Sequence, residues 1–285
     1  MRKPIEDTQG DSSAEDRNFV TSLARGLDVL RCFRPDEAAL TNMDLSSRTG
    51  LPKPTVTRLC YTLCKLGYLV QSERSGTYRL GAGVLSLGYG VLASMDMGER
   101  ASEEMRALCE GPNLHVTAAL GERHQFKVVY MAVRRSQQAV SLTLNVGARL
   151  PLFHSAIGRA ILCAMPEDER ERITRQADQE NPDDAAAMRR SLAQGLSDYR
   201  QYGFCTSFGS WRSEVNGIAV PVVSLNGDRV YGLNIGGPSF LISPDELLES
   251  YGDRLLAAAQ RLCNLPTGVA NDAAAGAADP DRGRA

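Results

Sequence analysis

The stretch LTNMDLSSRTGLPKPTVTRLCYTLCKLGYLVQSERSGTYRL, from Leu40 to Leu80, changes hydrophobic period twice, and this leaves few folds open to it. Leu45, Ser46, Ser47, Arg48 and Thr49 read as the end of a short helix, and Gly50 suits the positive φ that helix C-termini favour. Leu51 is the apolar anchor of the turn. Pro52 and Pro54 suit the opening of a second helix, where a missing N–H costs little. Val56, Leu59, Cys60, Leu63 and Leu66 then recur at helical spacing and predict a buried face. Gly67 stops that helix. Tyr68-Leu69-Val70 and Tyr78-Arg79-Leu80 are β-prone runs on either side of a Ser72–Thr77 turn. Helix, glycine turn, helix, hairpin is the order of a winged helix-turn-helix. A helical hairpin followed by an ordinary surface hairpin is the alternative.

If the module is a winged helix-turn-helix, the second helix places its N-terminal side chains at base edges, while basic and hydroxyl groups hold phosphates. The expected contacts to double-stranded DNA are then Arg48, Lys53, Thr55, Thr57, Arg58 and Tyr61 from the helices, with Arg74, Ser75, Thr77 and Arg79 from the wing. Charge points the same way. Between Arg17 and Gly83 there are ten basic residues against five acidic, a net +5, on a chain of net −2, so the remainder carries −7. An excess of five is modest, and such domains commonly add half-sites by dimerising.

A chain of 285 residues, 43% hydrophobic and 23% charged, has room for two domains. It holds no apolar run long enough to span a bilayer, and its first residues (MRKPIEDTQGDSSAEDR) are polar and acidic, so a cytoplasmic protein without a membrane partner is expected. The seven scattered cysteines predict reduced thiols rather than a disulfide framework. Cys60 and Cys64 lie one helical turn apart with no histidine nearby, so they read as small core residues; no metal and no cofactor are expected. Past the wing, Gly81–Met97 is a largely apolar helix with two readings: it packs internally, or it pairs with its copy in a dimer and spaces two recognition helices. The second is favoured, because a lone half-site binds weakly.

The rest alternates. His115–Leu120 and Gln125–Val133 read as strands around a Gly121-Glu122-Arg123 turn, and Ala139–Val146 as a third strand. Ser155–Ala164, Pro166–Gln176 and Ala185–Tyr202 read as helices. Phe204–Phe208, Gly217–Ser224 and Arg229–Gly236 return to strand around an Asn226-Gly227-Asp228 hairpin turn, and Asp245–Cys263 closes as an amphipathic helix. The expected class is α+β, with an antiparallel sheet covered by helices.

Several ordered motifs resemble the IclR family of bacterial transcriptional regulators, from about Phe19 to Leu265. SLARGLDVL from Ser22 is similar to the family's first helix, and GLPKPTVTRL from Gly50 to its recognition-helix signature, with Pro54 where Ser is usual. Tyr78-Arg79-Leu80-Gly81 resembles the end of its wing. GARLPLFHSAIGRA from Gly147, Gly217–Val222 and Ile235–Pro238 resemble its effector-domain motifs. The resemblance implies a GAF-like effector domain that binds a small metabolite, and a homodimer or tetramer on operator DNA. Carried onto this chain, the implied effector pocket is Leu144, Val146, Ser155, Ala156, Ser207, Gly217, Asn234 and Gly236. Hydroxyls, an amide and backbone N–H groups at a helix start suit a carboxylate, and apolar walls suit a short chain or an aromatic ring.

Two departures matter. Phe208-Gly209-Ser210-Trp211-Arg212 stands where many relatives carry an acidic pair, and Asn234 and Gly236 stand where two serines are frequent. No particular relative's ligand therefore transfers. Trp211 covers either the pocket mouth or an oligomer interface. Catalysis is not expected: His115, His124 and His154 sit in no metalloprotease, nucleophile-elbow or phosphate-loop motif. The expected layout is an N-terminal arm, 1–18, taken as disordered; a DNA-binding domain, 19–81; a linker helix, 82–97; an effector domain, 98–266; and a tail, 267–285, taken as disordered. The expected function is a DNA-binding regulator, most often a repressor, controlled by an aromatic or short organic acid. A winged-helix protein-interaction module, or a metabolite-binding protein without specific DNA binding, is the alternative.

Overall fold

The computed structural model describes residues 19–263 except 35–36, 94–95, 137–143, 225–226 and 228, so the expected arm and tail lie outside the described residues. The chain divides into two compact units, Met1–Ser94 and Met95–Ala285.

In the first unit, helix α1 (Thr21–Arg31) precedes α2 (Asn42–Thr49), α3 (Lys53–Lys65), the ribbon β1 (Leu69–Gln71) and β2 (Tyr78–Leu80), and α4 (Ala82–Ala93). Helix α2 starts at a reciprocal cap: Thr41 Oγ1 accepts the Asp44 N–H at 3.2 Å, and Asp44 Oδ2 accepts the Thr41 N–H at 2.8 Å. It ends at Gly50, whose φ of 69° is the left-handed turn expected there. Val29, Leu40, Leu45, Val56, Cys60 and Leu69 are buried together as the centre of a small core. Leu66 departs from the predicted buried face. It caps α3 on the side of Leu59 and Leu63 but is 62% exposed, because that end of the face opens on a groove beside α1 rather than on the core. Hydrogen bonds from Thr41 hold the Asp44 carboxyl below its ordinary value of 3.8. A depressed folded value means the cap's contribution is present above the unfolded value and lost as pH falls through the folded one. The first unit is therefore expected to lose melting temperature as pH drops below about 4, and Asp44→Asn to flatten that loss; circular dichroism melts across pH 3–6 check it.

In the second unit, α5 (Asp96–Cys109) leads into β3 (Thr117–His124), β4 (Lys127–Arg135) and β5 (Arg149–Pro151). Helices α6 (Ala156–Cys163), α7 (Glu167–Glu180) and α8 (Ala185–Tyr202) follow, then strands β6 (Cys205–Phe208), β7 (Val215–Val223) and β8 (Val230–Pro238). A short α9 (Pro244–Glu246), a π-helical turn over Leu247–Tyr251 and α10 (Gly252–Cys263) close the unit. The six strands form one antiparallel sheet in the order β5-β4-β3-β8-β7-β6. Alternation along each strand gives the sheet two apolar faces. Ala118, Leu120, Ile218, Val220, Leu233 and Ile235 pack against α5 and α10. Ala119, Val128, Tyr130, Cys205 and Ala219 pack against α6 and α8.

Three expectations need correction here. Gly121-Glu122-Arg123 is not a turn but continues β3. The register slips between Leu120 and Gly121, and the reversal comes at Gln125, whose φ is 54°. Gly121 is required for close packing: a Cβ there would lie 2.7 Å from Val128 Cγ1 and 3.1 Å from Ile157 Cδ1. The expected Ala139–Val146 strand falls partly outside the described residues, and its described end, Leu144–Val146, is irregular. The closing helix is interrupted by the π turn, where Tyr251 Oη donates to the Asn113 carbonyl at 3.0 Å and accepts its N–H at 2.8 Å. Asn226 and Asp228 of the expected hairpin turn lie outside the described residues. All seven cysteines are free thiols, and no described helix is long and apolar enough to cross a membrane.

Candidate functional site

The first candidate surface is the outer face of α3 with the wing. Burial of Val56, Cys60 and Leu63 fixes the helix rotation and leaves Lys53, Thr57, Arg58 and Tyr61 exposed. Asn42 Nδ2 donates to Thr57 Oγ1 at 3.0 Å, a cross-helix contact that sequence reading did not find, and Thr57 Oγ1 donates to the Lys53 carbonyl at 2.9 Å. The Lys65 ammonium sits 5.5 Å over the Tyr61 ring. At the wing tip Gly76 has a φ of 68°, Ser75 and Thr77 share a hydroxyl contact at 2.7 Å, and Arg74 and Arg79 are exposed.

Two expected contacts lie differently. Arg48 is turned back into its own unit, donating to the Cys32 carbonyl at 2.9 Å and pairing with Glu37 at 2.5 Å, so its charge is engaged in holding α2. Thr55 is half-buried and faces α1. Together α1, α3 and α4 frame an open groove of about 790 Å³ whose exposed walls include Leu23, Leu27, Leu66 and Leu87.

The second candidate site is a cavity of about 30 Å³ over the α6 face of the sheet, space for a water or two. Leu144, Ser155, Ala156, Ser207, Gly217, Asn234 and Gly236 all line it. Val146 does not: it lies in the turn before Gly147 and is half exposed. Sequence reading missed Tyr130, Leu150, Ile157, Val215 and Asn216 as lining residues. Trp211 lines the cavity, with the Arg212 guanidinium 4.7 Å from its ring centre.

Ser155 is the N-cap of α6. Its hydroxyl donates to the Pro151 carbonyl at 2.6 Å and accepts the Gly158 N–H at 3.2 Å, so it shapes the wall with both bonds already made. Ser207 Oγ donates to the His154 carbonyl at 3.3 Å, and Asn216 Nδ2 to the Ile242 carbonyl at 3.0 Å. Burial pushes the Tyr130 phenol up, and a hydrogen bond from the Asn234 side chain partly offsets this. Asn234 Oδ1 is buried without a partner among the described residues. A wider cleft of about 430 Å³ between α7 and α8 has opposed charges on its walls, including the Arg175–Glu171 pair at 3.8 Å, and reads as solvated surface. No metal-binding cluster of His, Cys, Asp or Glu occurs among the described residues.

A cation-bearing recognition helix with a wing, in one chain with a cavity-bearing α+β sensor unit, defines a ligand-responsive transcription regulator. Comparison with known proteins gives the family. Residues 22–73 match the family model of the IclR helix-turn-helix domain, and residues 89–264 match that of the bacterial transcriptional regulator IclR C-terminal domain. The chain belongs to the IclR family of transcriptional regulators. It is 35% identical over 78% of its length, and 79% of the relative's, to the HTH-type transcriptional regulator TsaQ1/TsaQ2 of Comamonas testosteroni. It is 30% identical to the Pca regulon regulatory protein of Pseudomonas putida, covering 87% of this chain and 85% of the relative. A crystal structure of an IclR family regulator from Brucella abortus superposes with a TM-score of 0.77 at 39% identity, covering 90% of this chain and 96% of that one. These relatives are named as transcriptional regulators, and the chain is a regulator rather than an enzyme.

Proposed function

We propose that this protein is a cytoplasmic repressor whose hold on double-stranded operator DNA is controlled by a small organic acid, aromatic or short-chain, bound in the second unit. The observation that carries the reading is the cavity beside the N-terminus of α6. Seven of the eight residues expected from sequence meet there, with apolar and aromatic walls and few polar groups. An IclR homolog from Microbacterium hydrocarbonoxydans has been crystallised in complex with 4-hydroxybenzoate; at 23% identity and a TM-score of 0.63 it shares the fold, and it supplies a first probe. Lys53, Thr57, Arg58, Tyr61, Arg74 and Arg79 are the DNA contacts. The apolar groove beside α3 and the exposed Leu85, Leu87 and Tyr89 of α4 support pairing with a second copy, which adds the second half-site.

The test is fluorescence anisotropy of the protein on its own upstream intergenic DNA, across a salt series, with and without small carboxylic acids. Tight, salt-sensitive binding shifted by one acid supports the reading. Absence of specific binding moves the weight to a protein-interaction role. Arg58→Ala is expected to weaken operator binding by about tenfold and lower the salt slope by about 1, with effector binding unchanged. Equal DNA affinity in that variant removes Arg58 from the interface.

A further inference from the structure

Two thiols of the second unit touch. Cys163 ends α6 and Cys205 opens β6, 42 residues apart in the chain, and their sulfurs lie 3.6 Å apart. Cys205 is completely buried, whereas Cys163 reaches solvent in part. The Gly195 carbonyl of α8, at 3.3 Å, is a second acceptor for the Cys205 thiol, so its proton can turn to either partner. From 3.6 Å, a closure of about 1.5 Å brings the sulfurs to bonding distance. Cys60 and Cys64 are a contrast. They share one helix, where residues four apart hold their Cβ atoms about 5–6 Å from each other, beyond the roughly 3.5–4.5 Å a bridge allows.

A buried cation attends the pair. Arg159 lies one helical turn before Cys163 and is 2% exposed. Gly195 makes room for it: a Cβ there would lie 2.8 Å from Arg159 Cβ and 2.9 Å from its Cδ. The guanidinium donates through Nη2 to the Thr206 carbonyl, but Nε has no partner and no carboxylate pairs with it among the described residues. Asp198 is nearby, but it is occupied by the Thr206 N–H at 3.0 Å, the Thr206 hydroxyl at 2.7 Å and the Gln194 amide at 2.7 Å. A buried charge without a counter-charge is costly, and a thiolate at Cys163 would supply one. The hydrogen bond from Cys205, with the charges of Arg170 and Arg159, holds the Cys163 thiol below its ordinary value. The same bond and burial push Cys205 up. Burial also raises Cys32, Cys60, Cys64, Cys109 and Cys263. Thiolate character and access to solvent, the two conditions for oxidation, therefore meet at Cys163.

From this geometry we infer an oxidation site for hydroperoxides: Cys163 is the attacking thiol and Cys205 the thiol that resolves it into a disulfide. The Cys163 thiolate attacks a peroxide oxygen, the O–O bond breaks, and the departing hydroxide takes the thiol proton as water. This leaves a sulfenic acid at Cys163. The Cys205 sulfur then attacks the sulfenic sulfur; the S–O bond breaks, the S–S bond forms, and a second water leaves with the Cys205 proton. Two thiols are oxidised and one hydrogen peroxide is reduced to two waters. The bridge ties α6 to β6, the elements that carry Ile157 and Ser207 to the cavity, so it joins two walls of that chamber.

The experiment treats reduced full-length protein with stoichiometric hydrogen peroxide under native conditions. Free thiols are counted, and peptides are mapped by mass spectrometry without reductant. Wild type is expected to lose two of its seven thiols, to yield one Cys163–Cys205 cross-linked peptide, and to recover both thiols in dithiothreitol. Cys205→Ala is expected to stop at a sulfenic acid on Cys163, trapped by dimedone, and Cys163→Ser to lose no thiol at that dose. Arg159→Gln, checked for a native melt, is expected to slow the wild-type loss by about three- to tenfold, and Arg159→Lys to restore part of the rate. Retention of all seven thiols in wild type, a bridge between other cysteines, or equal thiol loss in Cys163→Ser overturns the site. An unchanged rate in Arg159→Gln removes the arginine from its role beside the thiolate.

Discussion

Leu45→Ala is expected to abolish operator binding while leaving the second unit's ligand titration intact. Leu45 is completely buried at the centre of the first unit, where α2 meets α3. Truncating a buried leucine costs about 2–5 kcal/mol, the transfer term plus the cavity left behind. A unit this small buries a modest fraction of its surface and has little stability in reserve. The loss is a large share of what holds the recognition helix in place, and the first unit's melting temperature is expected to fall by about 10 °C or more. Two-transition thermal melts followed by circular dichroism, with anisotropy on operator DNA, check it. An unchanged first transition would contradict the core described here. Loss of both transitions would show that the units do not fold independently.

The second large effect is expected at Gly158, in the first turn of α6. A Cβ there would lie 1.9 Å from the Leu152 carbonyl oxygen and 2.6 Å from its carbonyl carbon, both main-chain atoms with no side-chain freedom to yield. The Gly158 N–H is also the donor to the Ser155 cap. Gly158→Ala must therefore lift α6 off the preceding loop or break its cap. A cost of about 3 kcal/mol or more follows, or about 6–12 °C in the second unit's melting temperature, together with loss of ligand binding, because α6 walls the cavity. Gly88→Ala is the control. Nothing lies within 4 Å of a Cβ at that helical position, and the change is expected to stabilise the first unit by about 0.5–1 kcal/mol. Equal melts for Gly158→Ala and wild type would mean that the loop and helix part at little cost.

Local chemistry explains why the first unit was readable. Thr41 and Asp44 cap α2, Gly50 closes it, and Gly67 closes α3 in φ of 69° and 77°; each of these signals sits within a few residues of what it specifies. The failures arose where a distant partner decides. Gly121 reads as a turn because the groups that require a glycine there, Val128 on the paired strand and Ile157 on α6, are brought to it only by the fold. Arg48 looked like a phosphate contact because Glu37 and the Cys32 carbonyl that engage it come from outside its helix. The candidate ligand residues inherited from family motifs converged, Val146 apart. Tyr130 and Asn216 stayed hidden because strand pairing alone brings them to the cavity, and no spacing along the chain announces that.

The fixed side of the cavity is set by one detail. Gly232 lets Ile157 sit so low on the sheet that a Cβ there would lie 2.4 Å from Ile157 Cγ1, and at Gly121 it would lie 3.1 Å from Ile157 Cδ1, so α6 is packed down on the strands with no room to settle further. On the opposite rim Trp211, the single tryptophan of the sequence, lines the cavity with a guanidinium stacked on its ring. The molecule thus carries its own optical reporter. If the proposed effector binds there, the colour and intensity of one indole are expected to change as it enters, and stopped-flow fluorescence would give the rate without label or crystal.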